Sequence, residues 1–295
     1  MPSLKDIRNR VRSVKNTQKI TKAMKLVAAA KLRHATNAVV QARPYARVMR
    51  EMIASVAQAT DPEKNPLFQA AELPRTALLV PITSDRGLCG GFNAQILRQT
   101  TAFLADQAAG YEKIVVAPIG RKGTAFARRN ALPALDDLDL DAIRATKHAA
   151  TAKVLAETLV KRFLETDVDV VFLAYNRFIS ALTQEVVLLQ LLPLSRDAFG
   201  GDAAGDALPR DVIFEPGEAE LLQALLPKYI ESQVLSALLE SEASELGARM
   251  TAMDNATKNA SDLIERLTLQ MNRARQAMIT TELMEITSGA EALKG

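Results

Sequence analysis

The sequence predicts an α/β protein: a long antiparallel coiled coil of N- and C-terminal helices, with an inserted α/β domain. Two observations predict it. Both ends of the chain repeat apolar side chains every 3.5 residues, and the middle changes to short apolar runs separated by helical segments. We expect an N-terminal coiled-coil helix at residues 1–58, a linker at 59–74, the α/β domain at 75–214 and a C-terminal helical region at 215–295.

The C-terminal stretch carries the longest pattern. Between Lys228 and Ser288 there is no proline and a single glycine, Gly247, which favours one long helix. Alternating spacings of four and three select mostly apolar or small side chains: Leu246, Met250, Met253, Thr257, Ala260, Ile264, Leu267, Met271, Ala274 and Met278. This repeat predicts a left-handed coiled coil, so the helix needs a long partner.

Residues 4 to about 57 supply that partner. The same spacing selects Ile7, Val11, Val14, Gln18, Thr21, Lys25, Ala28, Leu32, Ala35, Val39, Ala42, Ala46, Met49, Ile53 and Val56. Pro44 should bend or interrupt the helix. The polar positions Gln18, Thr21 and Lys25 either set the register or mark a frayed end, or they face a different partner. The C-terminal helix is the longer one and should project beyond the N-terminal helix at the far tip.

The middle of the chain alternates strands and helices. Strands are predicted at residues 76–83, 113–119, 168–175, 183–192 and 212–214, with the fourth at a sheet edge. Helices are predicted at 93–108, just after 119, and at 145–165. The linker holds three prolines, and residues 136–141 and 195–210 read as loops. This order is typical of a Rossmann-like, largely parallel, doubly wound sheet.

Composition and charge exclude several classes of protein. Cys89 is the single cysteine and there are two histidines, so neither a disulfide nor a zinc motif is expected. No apolar run reaches the length of a membrane span. The first 50 residues hold thirteen lysines or arginines and one acid, Asp6, but they lack the features of a cleaved transit peptide. This basic helix could bind nucleic acid or face solvent; we favour an acidic protein surface.

The glycine-rich segment SDRGLCGGFN, residues 84–93, fits neither nucleotide-binding glycine motif. We interpret it as a tight turn that needs a positive φ at Gly87, Gly90 or Gly91. Arg86 would then sit on a stiff loop, suited to pairing with a partner carboxylate, and Cys89 would be a small packing residue. A second candidate contact lies at NRARQAMIT, residues 272–280, where arginines stand among apolar residues.

Four stretches carry a resemblance to a known family: residues 13–33, 84–93, 182–194 and 248–290. They resemble, in the same order, the γ subunits of F-type ATP synthases. The resemblance implies a non-catalytic central rotor inside a hexamer of α and β subunits, with the α/β domain at its foot on the c-subunit membrane ring. It implies further contact with the ε subunit, no cofactor, no direct nucleotide or nucleic-acid binding, and a peripheral position on the cytoplasmic side of a bacterial inner membrane.

The resemblance also assigns contact residues. Arg275 and Gln276 correspond to shaft residues that reach carboxylates on a β-subunit catch loop. Arg86 corresponds to a loop arginine facing the base of the β subunits. Met24, with its neighbours Lys22 and Lys25, corresponds to the stretch near the β-subunit lever.

At the foot, Phe214 and Glu215 correspond to positions near the membrane ring and the ε subunit. Two residues depart from the family pattern: Phe214 stands where tyrosine is frequent, and Met271 where tyrosine is usual. The first change removes a hydroxyl contact at the foot, and the second keeps the seam apolar.

Two other functions remain open at this point. A nucleic-acid-binding coiled-coil protein would bind DNA with a steep salt dependence. A nucleotide-dependent α/β enzyme would bind ATP alone and be stabilised by it.

Overall fold

The computed structural model describes residues 4–59, 65–106, 110–135, 148–165, 167–195, 199 and 217–292. Contacts divide the chain into two compact units. The helix-pair unit comprises Met1–Ala28 and Met250–Gly295, and the α/β unit comprises Ala29–Arg249. The expected loops at 136–141 and at most of 195–210, the strand at 212–214 and part of the linker lie outside the described residues.

Helix α1 (Leu4–Ala59) confirms the N-terminal helix but not its interruption. The helix runs without a break through Pro44, whose side chain is exposed. Val40, four residues earlier, is 55% exposed as well. Its carbonyl loses a helical donor to the proline ring, and on this face water can replace that donor.

The C-terminal helix (Glu218–Ala292) is a single helix of 75 residues. It begins close to the start of the helical region predicted at 215–295 and continues through Pro227, which is again on an exposed face. Glu218 and Glu220 lie in its first turn, where negative charge complements the helix dipole. Pro227 removes one hydrogen bond inside the helix, and water can replace the lost donor at the carbonyl of Gln223, which is exposed as well.

The α/β unit contains a mixed four-stranded sheet in the order β2-β1-β3-β4. The strands are β1 (Thr76–Pro81), β2 (Lys113–Val116), β3 (Val170–Phe178) and β4 (Gln184–Leu192). β1 pairs in parallel with β2 and β3, while β4 is antiparallel to β3 at the sheet edge. The prediction of a largely parallel sheet with the fourth strand at its edge is confirmed.

Helices α2 (Phe92–Asp106), α3 (Arg121–Arg129) and α4 (His148–Leu164) connect these strands, and the C-terminal helix is therefore α5. Five of the six β1 residues are buried, as expected for a strand covered on both faces. The main core unites the sheet with α4 and with the parts of α1 and α5 in this unit. Its fully buried side chains include Ile53, Leu78, Leu155, Leu159, Leu173, Leu192, Leu222, Leu226 and Ile230.

On the other sheet face, Phe103 of α2 packs edge-on against Phe172 of β3, with ring centroids 4.9 Å apart. Leu79 and Ala174 complete this smaller core. Each fully buried leucine or phenylalanine contributes about 1.5–3 kcal/mol. The α/β unit is therefore stabilised mainly by apolar burial on both sides of its sheet.

The helix-pair unit buries a thinner seam. Its buried residues fall on the predicted heptad positions: Ile7, Val11, Thr21 and Ala28 from α1, and Met253, Ala260 and Leu267 from α5. The contact between Gln18 and Ser261 fixes an antiparallel register. Followed fourteen residues further, this register places Leu4 beside Arg275.

From Arg275 to Gly289 every side chain of α5 is exposed. Among the described residues, α1 therefore does not cover this end of α5. The expectation that α5 projects beyond α1 is confirmed, and the part from 276 to 292 is roughly 25 Å long at ~1.5 Å per residue. We call residues 275–289 the α5 tip.

Candidate partner-contact sites

The loop after β1 is held by a small polar network. Asn93 Oδ1 accepts from the Ser84 amide at 3.0 Å, and Asn93 Nδ2 donates to Ser84 Oγ at 2.7 Å. Ser84 Oγ in turn donates to the Arg86 carbonyl at 2.7 Å. Cys89 is 2% exposed and accepts from Asn93 Nδ2 at 3.2 Å, so it packs inside the loop as predicted.

The loop backbone needs a left-handed conformation at two residues. Gly90 has φ of 56°, which confirms one of the three candidate glycines. The second is Leu88, with φ of 65° and a side chain 63% exposed, whereas Gly87 and Gly91 do not have positive φ. A leucine in this conformation costs roughly 1–3 kcal/mol, so surrounding contacts must hold it there.

Gly120 supports the loop from the neighbouring turn, and the sequence pattern did not single it out. Its φ is 96°, and a Cβ here would lie 2.1 Å from the Thr83 carbonyl oxygen. Thr83 Oγ1 donates to the Ile119 carbonyl at 2.8 Å and accepts from the Gly123 amide at 2.8 Å. The start of α3 is thus fixed against the end of β1.

Arg86 points away from this framework. Its side chain is exposed, and within the described part of the chain it makes neither a hydrogen bond nor an ion pair. An arginine on a fixed backbone loses little further conformational entropy when it pairs with a carboxylate. The geometry suits the predicted role.

A cleft of about 180 Å³ lies beside the loop, between the ends of β1 and β2 and helices α4 and α5. Asp85, His148, Glu242 and Glu245 are among its lining residues. Three carboxylates repel a phosphate, so the cleft does not suit a nucleotide despite the adjacent glycine-rich loop.

Within this cleft, His148 Nε2 lies 2.8 Å from Glu242 Oε2. The hydrogen bond to Glu242 raises the pKa of His148 above its ordinary value, and the hydrogen bond to His148 lowers the pKa of Glu242. Burial raises the pKa of Glu245, and the nearby Arg249 opposes that shift. No sequence pattern indicated the His148–Glu242 pair, because the two residues are far apart along the chain.

The polar stretch of the α1 seam pairs with polar residues of α5. Gln18 Nε2 donates to Ser261 Oγ at 2.7 Å, and the Thr21 and Thr257 hydroxyls are 2.8 Å apart. Lys25 Nζ lies 2.6 Å from Asp254 Oδ1. We call these three pairs the polar ladder: Gln18–Ser261, Thr21–Thr257 and Lys25–Asp254. The ladder favours the register-setting interpretation, and a separate partner is not needed to explain the polar gap.

The other predicted contact residues of α1 have different exposures. Lys22 is exposed, and Met24 is half-buried. Lys25 is also half-buried, and its ammonium group already has Asp254 as a partner. Of this group, Lys22 presents the most accessible charge.

The α5 tip begins with two predicted contact residues, Arg275 and Gln276, both exposed. Large apolar side chains on the tip are exposed too: Met278, Ile279, Leu283, Met284 and Ile286. The predicted foot residues Phe214 and Glu215 lie outside the described residues.

Among the described residues, no group of three or more His, Cys, Asp or Glu side chains is arranged to hold a metal ion. Nor does any helix in those ranges combine the length and apolar character of a membrane span.

A long helix pair whose end leaves large apolar side chains uncovered, together with an α/β unit, is typical of a subunit that a partner protein covers. A family model described as ATP synthase matches residues 3–293. The chain is 50% identical over 297 residues to the ATP synthase gamma chain of Anaeromyxobacter sp. (strain Fw109-5) and 48% identical over 301 residues to that of Geobacter metallireducens. Both matches cover the whole of each chain.

Solved structures agree. The chain is similar to a chain in the central stalk/c-ring structure of Tetrahymena thermophila mitochondrial ATP synthase, with 29% identity and a TM-score of 0.56 over 80% of this chain and 99% of that one. A chain of the Euglena gracilis mitochondrial enzyme has the same fold, with 22% identity and a TM-score of 0.64 over 98% and 94% of the two chains. The chain belongs to the ATP synthase gamma chain family. It is a central-stalk rotor subunit and is not itself catalytic, which confirms the resemblance found in its sequence.

Proposed function

We propose that this chain rotates inside a hexamer of α and β subunits and couples proton flow through a membrane ring of c subunits to ATP synthesis or hydrolysis. The observation that carries the proposal is the α5 tip, where fifteen successive residues are exposed, several of them large and apolar. Exposed apolar surface of this kind marks a surface that a partner covers. A related Euglena structure contains F1 and a c-ring, which supports these partners.

The asymmetry of the shaft would couple its rotation to the state of the β subunits. One shaft cannot contact three equivalent β subunits identically, so each orientation favours a different conformation at each site. Apolar contacts are non-directional and let the shaft turn in its sleeve with few bonds to break. Directional polar contacts then make particular angles preferred.

Arg275 and Gln276 are the proposed directional contacts at the tip. Both are exposed, and Arg275 can donate two parallel hydrogen bonds to one carboxylate of a β subunit. Inside a protein sleeve such a pair loses water, and deleting one partner of a buried pair costs about 3–5 kcal/mol.

Arg86 and the Met24 region are the proposed contacts outside the tip. Arg86 would face the base of the β subunits, and Lys22 with Met24 would face the β-subunit lever. Lys25 would contribute a positive charge, which already pairs with Asp254 at 2.6 Å.

The foot is proposed to be the domain at residues 75–214, between the helix at 1–58, the linker at 59–74 and the helical region at 215–295. Phe214 and Glu215 would lie near the membrane ring and the ε subunit. We propose that the assembly sits on the cytoplasmic side of a bacterial inner membrane, with this chain bound peripherally.

Co-expression with α and β subunits tests the proposal. A stoichiometric complex that hydrolyses ATP is expected. DNA binding by the chain alone that weakens steeply with salt would favour the nucleic-acid alternative instead. Thermal stabilisation of the isolated chain by ATP would favour the nucleotide-dependent enzyme.

Arg275→Ala tests the directional contact. We expect at least a tenfold loss of ATP hydrolysis rate by the assembled complex, since about 1.4 kcal/mol already accounts for a factor of ten. The unfolding temperature of the isolated chain should not change, because the α5 tip is uncovered within the chain. Arg98→Ala, an exposed arginine on α2, is the matched control and should leave the rate unchanged. Wild-type turnover and assembly in Arg275→Ala would reject this contact.

A further inference from the structure

The loop that presents Arg86 is fastened to helix α5 by Arg249. Arg249 Nη2 donates to the Gly87 carbonyl at 3.3 Å, and Nη1 lies 2.6 Å from Glu245 Oε1 on the same helix. The Arg249 and Glu245 side chains are only 14% and 22% exposed. All of these residues belong to the α/β unit.

The other contacts of the loop hold its base. Ser84 and Asn93 bind each other, and Ser84 Oγ donates to the Arg86 carbonyl, as described above. The next carbonyl, at Gly87, is the one that Arg249 holds. Beyond it lies Leu88, with positive φ and an exposed side chain, so its own packing does little to fix the loop. Arg249 therefore supports the loop one residue after Arg86, just before the strained position.

Glu245 orients the guanidinium group. The i, i+4 spacing places the carboxylate one turn before Arg249 on the same helix face. It binds one nitrogen of the fork, so the second nitrogen has a fixed direction toward the Gly87 carbonyl. A lysine carries all its donors on one nitrogen, so it cannot reproduce the two separate nitrogens that reach these two acceptors.

We propose that Arg249 is a positioning residue for Arg86, and that a force applied by a partner at Arg86 passes through Gly87 and Arg249 into α5. The inference rests on the proposed contact between Arg86 and the β subunits. Among the described residues, no other hydrogen bond holds the Gly87 carbonyl, so without Arg249 the loop has no such link to α5. Through this link the load enters α5, whose tip carries the other proposed contacts.

A double-mutant cycle in the assembled complex with α and β subunits tests the link. The variants are Arg86→Ala, Arg249→Met and both together, and the readout is the ATP hydrolysis rate at saturating ATP. Arg249→Met should lower the rate about fivefold, the loss expected when one hydrogen bond ceases to hold the loop. The double variant should match Arg86→Ala alone, because Arg249 acts only through Arg86.

Two further variants separate positioning from charge and from general destabilisation. Arg249→Lys keeps the charge but not the fork, so it should stay close to Arg249→Met in rate. Lys228→Met removes an exposed ion pair with Glu231 on the same helix and should not change the rate. Amide hydrogen exchange in residues 87–91 should accelerate in Arg249→Met and not in Lys228→Met.

Three results would overturn the inference. The first is an effect of Arg249→Met that multiplies with that of Arg86→Ala. The second is a wild-type rate in Arg249→Met while Arg86→Ala is impaired. The third is a lowered hydrolysis rate in Arg249→Met together with a wild-type rate in Arg86→Ala. That result would also reject the proposed Arg86 contact. The second result leaves the Arg86 contact standing, so the two failures are distinguishable.

Discussion

Helices α1 and α5 have two different kinds of seam in the two units. In the α/β unit, seam residues such as Ile53 and Val56 join an apolar core shared with the sheet and α4. In the helix-pair unit, the polar ladder occupies three successive seam positions of α1. Apolar burial therefore stabilises the α/β unit, whereas directional contacts specify the pairing of the helices in the helix-pair unit.

The surroundings explain why each seam has its composition. A polar pair in the α/β core would be fully desolvated and would need complete hydrogen bonding. A two-helix seam stays close to water, so polar pairs cost little there and select one register among several. The same thin unit leaves apolar side chains uncovered: Ile20, Leu26 and Val27 are 60%, 64% and 57% exposed. A partner surface would cover them.

The largest expected effect is in the α/β unit, at Gly120. Gly120→Ala places a Cβ 2.1 Å from the Thr83 carbonyl oxygen at a φ of 96°. We expect a loss of more than about 3 kcal/mol in the free energy of unfolding, because strain and backbone clash add. Denaturant titration of the isolated chain measures it.

Gly91→Ala is the matched control. A Cβ there would lie 3.6 Å or more from the Gln95 side chain, which is an ordinary contact, and φ is not positive. This variant should unfold as the wild type does. Equal stability of the two variants would contradict the claim that the turn before α3 tolerates glycine alone.

A paired leucine experiment compares the two seams directly. Leu226 in the α/β core is 0% exposed, and Leu267 in the helix-pair seam is 6% exposed. Leu226→Ala should cost about 3–5 kcal/mol, because the crowded core cannot close the cavity. Leu267→Ala should cost about 2 kcal/mol or less, because two helices can move together and water reaches the site.

Thermal or denaturant unfolding followed by circular dichroism separates these two costs. A cost at Leu267 equal to that at Leu226 would show that the helix pair is packed as tightly as the α/β core.

Much of the fold could be predicted from the sequence alone. The 3.5-residue repeat predicted both helices and their seam. Buried side chains recur with that period along α1, from Ile7 to Val56. Short apolar runs found the four strands of the sheet. Pattern could not show that α1 continues through Pro44, since the exposure of a proline depends on tertiary packing.

The contact sites were only partly predictable. Arg86 and Arg275 were predicted from their charge in a stiff or apolar setting, and Gln276 from its place beside Arg275; the structure leaves all three exposed. Arg249 and Gly120 were missed, because their roles depend on residues brought together by the fold. The positive φ of Leu88 was missed as well, because leucine gives no sequence signal for that conformation.

The polar ladder predicts a smaller effect, on register more than on stability. Replacing Thr21 and Thr257 together with valine removes both hydroxyls of a pair 2.8 Å apart and keeps the shape of the seam. The free energy of unfolding should change by less than about 1 kcal/mol, because no hydroxyl is left unpaired.

Register is measured by the distance between spin labels at positions 10 and 269, both on exposed faces. The wild type should give one narrow distance distribution, and the double variant a broader one. An equally narrow distribution in the double variant would show that the threonine pair does not help to select the register.

The smallest expected effect concerns the ion pair between His148 and Glu242 in the α/β unit. The pKa of His148 is raised above 6.5 by its hydrogen bond to Glu242, so its contribution is complete below pH 6.5 and is lost as pH rises through the folded-state value. The pKa of Glu242 is lowered below 4.5, so its contribution is present above pH 4.5 and is lost as pH falls through the folded-state value. The pair therefore stabilises the fold most between pH 4.5 and 6.5.

His148→Ala should then cost more at pH 5.5 than at pH 8. The difference should be less than about 1 kcal/mol, because both side chains are around two-fifths exposed and solvent screens the pair. Urea unfolding at the two pH values measures it. In a Glu242→Gln background the cost of His148→Ala should lose its pH dependence, because the carboxylate that holds the proton on the imidazole is gone. A pH dependence that survives in this background would assign the effect to the other cleft carboxylates, Asp85 and Glu245. Even in the α/β unit, then, charge adjusts a stability that apolar packing has already established.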